Sequence, residues 1–296
     1  MSDNIASPVA GERIVIPHAD DVGMCHGANR AYMEIAGRGF VTTGSVMVPC
    51  PWFGEIAEWA GGRDDADLGV HLTLTSEWRH YRWGPISTRS KKSGLIDNEG
   101  CFPHRVPELR ATLDPIAADD EMRAQVERFI GRGMRPTHID THMGAAMVPE
   151  LIDITIAIAR DYHLPLLFPR TIESYLDVLD IGPVDPAFYR ERHAGLEAEG
   201  ATFVDRFIMT PWVASDAAFA RYSQMIESLR VETTFFSLHP NAPGDIEVIC
   251  PNLAHCRTDE YRLAVDRKFL SILEREKVRI EGFSKLRDQL NLPTRR

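Results

Sequence analysis

Short β-branched apolar runs alternate with amphipathic helical stretches along almost all of the 296-residue chain. That alternation limits the fold more than any single residue does. "RIVIPH" (13–18) reads as a strand and "GANRAYMEIAGRG" (27–39) as a helix closed by Gly39. "VTTGSVMV" (41–48) and "DLGVHLTLT" (67–75) have strand length and composition. Residues 119–132 place Met122, Val126, Phe129 and Ile130 on one helical face. "RPTHIDTH" (135–142) predicts a strand, and "PELIDITIAIARD" (149–161) a helix with Pro149 at its start. "LPLLFP" (164–169), "ATFVDRFIM" (201–209), "TTFFSLHP" (233–240) and "VRIEGF" (278–283) are further strands. Helices are expected near 215–229 and over 259–275, the latter with Leu263, Phe269, Leu270 and Leu273 as apolar sites. Repeated βα units require a mostly parallel sheet with helices outside it. About seven or eight of them predict an α/β barrel of the (β/α) type, with an open doubly wound sheet as the alternative.

Residues 76–118 break the pattern. "SEWRHYRWGPISTRSKKSGLIDNEGCFPHRVPEL" holds Trp78, Tyr81 and Trp83 with no sustained period. So long an irregular stretch inside a domain is expected to be a functional loop. Its aromatics predict an ordered one that offers stacking surfaces. With no repeat or low-complexity linker, residues 1–296 read as one domain carrying this insertion.

Composition removes several classes. A formal charge of −10 argues against nucleic-acid or anionic-membrane partners, which require basic patches. Cys25, Cys50, Cys101, Cys250 and Cys256 are an odd set without a CxxC pair, as expected of free thiols in a reducing compartment. "MSDNIASPVAGER" lacks the pattern of a signal peptide, and no run is long enough to span a membrane. The expected location is the cytoplasm.

Chemistry-bearing residues cluster at predicted strand ends. Asp20 and Asp21 stand side by side in "HADDVG". Adjacent carboxylates repel, and capping the following helix needs only one of them. The functional alternative makes one a metal ligand and the other a nearby base. His71 lies inside a strand, where a lone histidine is ordinarily a satisfied core residue. In "THIDTH", a strand period of two sets His138, Asp140 and His142 on one face. Burying three ionisable groups together costs several kcal/mol unless they are paired or ligated. A metal site on a strand therefore competes with a buried hydrogen-bonded network. His239 ends the strand "FFSLH" just before Pro240. In parallel α/β folds the carboxyl ends of the strands build the active site, and five such residues at that edge point to one. Nucleophile-elbow, Walker and dinucleotide-binding motifs are absent from the sequence. His26, His80, His104, His163, His193, His255 and "SKK" (90–92) are expected at the surface.

In order, "HADDVG…GANRA", "GVHLTLT", "RPTHIDTH", "LPLLFPR" and "SLHP" resemble the YdjC-like carbohydrate deacetylases, the family that includes chitooligosaccharide deacetylases. The family pattern runs NADDFG-x-N, G-x-H-x-x-L, P-T-H-x-D-x-H-x-H, an RxP-like strand and C/S-HP. The resemblance extends from about residue 13 to 290, including "YRLAVDRKFLSILEREKVRIEGFSKLRDQL" at the end. It implies a deformed (β/α) TIM-like barrel, one divalent metal, and removal of an N-acetyl group from an amino sugar or oligosaccharide. Matched by position, Asp21, His71 and His142 would hold the metal, Asp20 would be the base and His239 the acid. His138 and Asp140 would support them, while His18, Arg170 and Trp78 would lie near the metal or substrate. Two departures set the chain apart from that pattern: His18 replaces the family's Asn, and "MGAAM" (143–147) replaces its extra histidines, leaving the pocket beyond the metal less polar.

The resemblance brings magnesium as the usual metal, whereas one carboxylate and two imidazoles suit zinc. The alternatives to a deacetylase are a metal- and sugar-binding barrel without catalysis, and a metal-dependent hydrolase of non-sugar amides. The expected partner is a small carbohydrate, with a homodimer as the one protein assembly considered.

Overall fold

Strand β1 (Arg13–Val22) is the hub of the sheet, because six of its first seven residues are buried and it pairs on both sides. The computed structural model describes residues 11–287. The strands following β1 are β2 (Thr43–Val46), β3 (Leu68–Leu72), β4 (Ile139–Thr141), β5 (Arg206–Met209), β6 (Thr233–Leu238) and β7 (Val278–Ile280). They lie in the order β4-β3-β2-β1-β6-β5, with β7 also on β1, and every pairing is parallel. Helices connect successive strands, as parallel pairing demands. The sheet curls into an incomplete barrel whose edges are β4 and β5. Between those edges the chain supplies one parallel bridge, Ile139 to Leu166. The strand expected over 164–169 shrinks to that bridge, since Pro165 and Pro169 remove backbone donors.

The helices depart from expectation in instructive ways. The helix Pro115–Gly131 buries Met122, Val126 and Phe129, but Ile130 is 43% exposed. The helix after β4 begins at Ile152, three residues beyond Pro149, because residues 142–147 form a tight turn instead. The helix expected over 259–275 is two, Ala254–Leu263 and Arg267–Arg275. The Asp266 carboxylate breaks them apart by accepting hydrogen bonds from the amides of Lys268 and Phe269, an N-cap.

The segment after β3 is ordered. Arg82 ties it together through the Asp97 carboxylate (2.7 Å), the Phe102 carbonyl (2.7 Å) and His104 (2.8 Å). Trp83 is buried and donates to the Thr75 carbonyl, and the Tyr81 hydroxyl donates to that of Met24. Within 76–118 the chain also forms the helix Val106–Arg110 and begins the next. All five cysteines are free. Among the described residues, no helix is long and apolar enough to cross a membrane. The start of "MSDNIASPVAGER" and the end of "FSKLRDQL", from Asp288 to Leu290, lie outside the described residues.

Candidate active site

In a regular strand, adjacent side chains point to opposite faces. Asp20 and Asp21 nevertheless line the same cavity. The cause is local: the β1–β2 register slips between Ala19 and Val22, and Asp21 takes a left-handed backbone with φ 63°. This irregularity turns both carboxylates inward. Neither caps the following helix, whose N-cap is Cys25 and has no side-chain cap.

Asp21 is buried and holds the centre. Its Oδ2 accepts from Arg257 Nη1 at 2.7 Å, and Arg257 is itself only 4% exposed. Its Oδ1 has no hydrogen-bond partner. That orphaned oxygen lies 3.1 Å from His142 Nδ1 and 3.6 Å from His71 Nε2. Each imidazole is pinned at its other nitrogen by a carboxylate. His71 Nδ1 meets Asp140 Oδ1 at 2.9 Å, with the Ser45 hydroxyl donating to Asp140 Oδ2. His142 Nε2 meets Glu77 Oε2 at 3.0 Å. Donation to a carboxylate fixes which ring nitrogen faces the centre, the arrangement typical of metal-bound histidine. One free carboxylate oxygen and two oriented imidazoles fit a divalent cation.

Charges follow from these contacts. Burial opposes the Asp21 charge, but Arg257 and the two imidazoles outweigh it and hold the carboxyl well below its ordinary range. Burial also opposes a charged His142, yet Glu77 and Asp21 raise it to about 9. His71 is likewise raised, by Asp140 and Asp21 against burial. Without a cation, protons occupy the positions the cation would take.

Asp20 sits beside this centre. Its Oδ1 is 2.5 Å from His18 Nδ1, and its Oδ2 accepts from the Ser237 hydroxyl at 2.7 Å. His239 Nε2 is 3.9 Å from that same Oδ2. The Thr210 hydroxyl donates to Glu260 at 2.6 Å and so accepts from His239 Nδ1 at 2.8 Å, which leaves Nε2 facing the cavity with its lone pair. Burial and the nearby Arg257 push His239 down to about 4, so its ring is neutral near pH 7. Burial raises Glu260 to about 7.

Below lies a second group. His18 Nε2 and His138 Nε2 are 2.9 Å apart, and His138 stacks on Phe283 at 3.8 Å. Gly69 makes room for that ring, since a Cβ there would lie 2.5 Å from it. Asp140 joins the two levels through His71.

The structure therefore brings together Asp20, Asp21, His71, His142 and His239, with His18, His138 and Asp140 beneath and Trp78 in the cavity wall. Arg170 does not join them. It is half exposed and pairs with Glu197 and Asp205 at the surface. His193, expected at the surface, is buried between Phe168 (3.8 Å) and Phe203 (4.4 Å). Sequence reasoning missed Arg257, Glu77, Ser45, Glu260 and Trp212, whose ring lines the cavity 5.1 Å from that of His239. Arg257 carried one readable signal: in "CRTDE" (256–260) polar residues run without the apolar stripe of a surface helix, and all five are buried.

A family model described as YdjC-like protein matches residues 13–275. The chain is 35% identical over 166 residues to a carbohydrate deacetylase of Thermus thermophilus, covering 56% of this chain and 57% of that one. It is 30% identical over 155 residues to one of Brevibacillus brevis, covering 52% and 59%. Both matches span less than two-thirds of those relatives. A match to a carbohydrate deacetylase of Thermoanaerobacter pseudethanolicus is 24% identical over 276 residues and covers 93% of this chain and 100% of that one. A crystal structure from Enterococcus faecalis V583, of a protein provisionally assigned to cellobiose-phosphate cleavage, superposes with a TM-score of 0.74 at 22% identity. It covers 93% of this chain and 99% of that one, a likeness of fold.

Proposed function

The chain belongs to the YdjC-like protein family, and on that premise we propose that it is a metal-dependent carbohydrate N-deacetylase, hydrolysing the acetamido group of an amino sugar. The observation that carries this reading is the orphaned Asp21 Oδ1, faced by two carboxylate-pinned imidazoles with a second carboxylate alongside. The deacetylase names of its relatives support it.

Asp21, His71 and His142 would hold the cation. When bound, the cation supplies Lewis acidity, lowering the pKa of a water and polarising the acetyl carbonyl. Asp20 takes the proton from the attacking water. His18 and Ser237 hold its carboxylate in place from either side. His239 begins neutral, so it cannot open the reaction as an acid. It first receives a proton at Nε2, through the 3.9 Å gap to Asp20, and then passes it to the departing amine. Thr210 keeps the ring turned for that transfer. Arg257 neutralises the second oxygen of Asp21 and leaves one oxygen for ligation.

The mixed donor set suits zinc or another late first-row ion, with magnesium the alternative from the all-oxygen class. Chelator-treated protein reloaded with single ions should release acetate from a panel of N-acetyl amino sugars. Asp20→Asn should lower that rate by about 10²–10⁴-fold, as loss of a general base does, while binding of the restoring ion stays the same. Acetate released from no sugar with any ion would overturn the reading. An Asp20→Asn variant at full rate would remove Asp20 from its role.

A further inference from the structure

Glu260 is a buried carboxylate with no part in the reaction above, yet it lies directly behind His239. It sits on the helix Ala254–Leu263, and three other elements meet it there. Its Oε2 accepts from the His239 amide, just past β6, at 2.6 Å. Its Oε1 accepts from the Thr210 hydroxyl, just past β5, at 2.6 Å, and from the Tyr222 hydroxyl of the helix Ser215–Glu227. Thr210 and Tyr222 are buried as well. Burying a charge is costly even when it is hydrogen-bonded, and satisfying one backbone amide needs only a neutral acceptor. The carboxylate calls for a further reason.

That reason is direction. An ionised carboxylate only accepts, so Thr210 directs its one hydroxyl hydrogen at Glu260 and can only accept from His239 Nδ1, at 2.8 Å. The hydrogen bonds then run one way, from His239 through Thr210 to Glu260, and leave Nε2 unprotonated toward Asp20. The same bonds persist when Nε2 gains a proton, because an imidazolium still donates through Nδ1. Successive hydrogen bonds polarise one another. The charge of Glu260 is thereby felt by a ring that burial and Arg257 otherwise keep neutral. We propose that Glu260 is a positioning residue of the amide hydrolysis, setting the His239 tautomer through Thr210 and balancing the proton that the ring carries. This rests on the deacetylase reading above and deepens it. The protons balance: one passes from the attacking water to Asp20, to His239 Nε2, and to the amine nitrogen as the C–N bond breaks. The hydroxyl stays on the acetyl carbon, and Glu260 stays ionised throughout.

Glu260→Gln tests this while keeping the shape. Its carbonyl still accepts from the His239 amide, but its NH₂ faces Thr210 and reverses the chain. Thr210 then donates to Nδ1, and the ring hydrogen moves to Nε2. Hydrolysis of the N-acetyl sugar that the wild type cleaves best is measured with the restoring ion at pH 8, above the value of about 7 to which burial raises Glu260. The variant's kcat should fall about 10²–10⁴-fold, the loss expected of an acid–base group held in the wrong tautomer, with KM and ion affinity little changed. Hydrolysis of 4-nitrophenyl acetate, whose leaving group departs without a proton, should fall far less. Thr210→Val breaks the chain and should also lower kcat on the amide, while Thr210→Ser keeps the hydroxyl and should restore it.

Equal losses on amide and ester in Glu260→Gln, or no loss on the amide, would overturn the proposal and leave the deacetylase reading standing. If the wild type releases acetate from no N-acetyl sugar, that reading fails, and the ring-nitrogen NMR shifts of His239 decide instead. They should report Nδ1–H in the wild type and Nε2–H in Glu260→Gln, and the same tautomer in both would overturn the proposal. Should Glu260→Gln not fold, Thr210→Val carries both measurements, with the single wild-type tautomer expected to be lost.

Discussion

Two clusters in this barrel, Asp21–His71–His142 and His18–His138–Asp140, each bring three ligand-type side chains within 4.8 Å of one another. They differ in what those atoms already do. In the lower cluster His18 is taken by Asp20 and His138, His138 Nδ1 meets the Thr137 hydroxyl at 3.0 Å, and both Asp140 oxygens are engaged. Phe283 covers it. In the upper cluster one carboxylate oxygen is unpaired and the group borders a cavity. Proximity alone does not make a cation site; free donor capacity and access do. The lower cluster instead works as a frame, fixing Asp20 through His18 and His71 through Asp140.

The comparison can be broken most forcefully at Arg257. Removing one member of a buried ion pair costs about 3–5 kcal/mol because the other charge is left uncompensated. Arg257→Met should destabilise the metal-free protein by that amount, measured by urea unfolding. A bound cation should restore much of the loss by compensating Asp21. An equal loss with and without the ion would mean that Asp21 does not hold it.

Asp140→Asn tests the link between the levels. It alters the group that orients His71 without touching the cation, and such changes typically cost 10–100-fold in metal affinity. Competition with a fluorescent chelator would measure this, and unchanged affinity would make Asp140 part of the core alone.

Acidity separates the clusters. His142, raised to about 9 by Glu77 and Asp21, carries a proton below that pH in the metal-free protein. The cation must displace it. Apparent affinity should therefore rise with pH up to about 9, where His142 loses its proton, with His71, raised as well, adding to the rise and proton release visible by calorimetry in buffers of different ionisation heat. His138 in the lower cluster has no part in this: burial and the neighbouring His18 hold it well below its ordinary value.

His18→Asn should have the smallest effect. It removes one hydrogen bond to Asp20 or His138, worth about 1 kcal/mol, and leaves ion affinity unchanged. A lost ion would show that the lower cluster ligates after all.

Much of this was legible in the sequence. The spacing of apolar runs located the strands of the parallel sheet, and strand ends drew attention to Asp20, Asp21, His71, His142 and His239. Pattern reading failed where a contact depended on distant chain. His193 resembled other isolated histidines, yet Phe168 and Phe203 enclose it. Arg170 sat in a stretch matching a family motif, but Glu197 and Asp205 hold it at the surface.

The sequence by itself determined the alternating elements, and so the parallel α/β architecture, because side-chain period and β-branching are local properties. It also placed the reactive types at strand ends, since parallel strands share a direction and their carboxyl ends meet at one edge. Only the tertiary structure decided how those residues divide the work. A register slip in β1 brings adjacent carboxylates into one cavity, and Arg257, 236 residues away, neutralises one oxygen of Asp21 and leaves the other free. Both depend on where the chain returns in space, which no local spacing encodes.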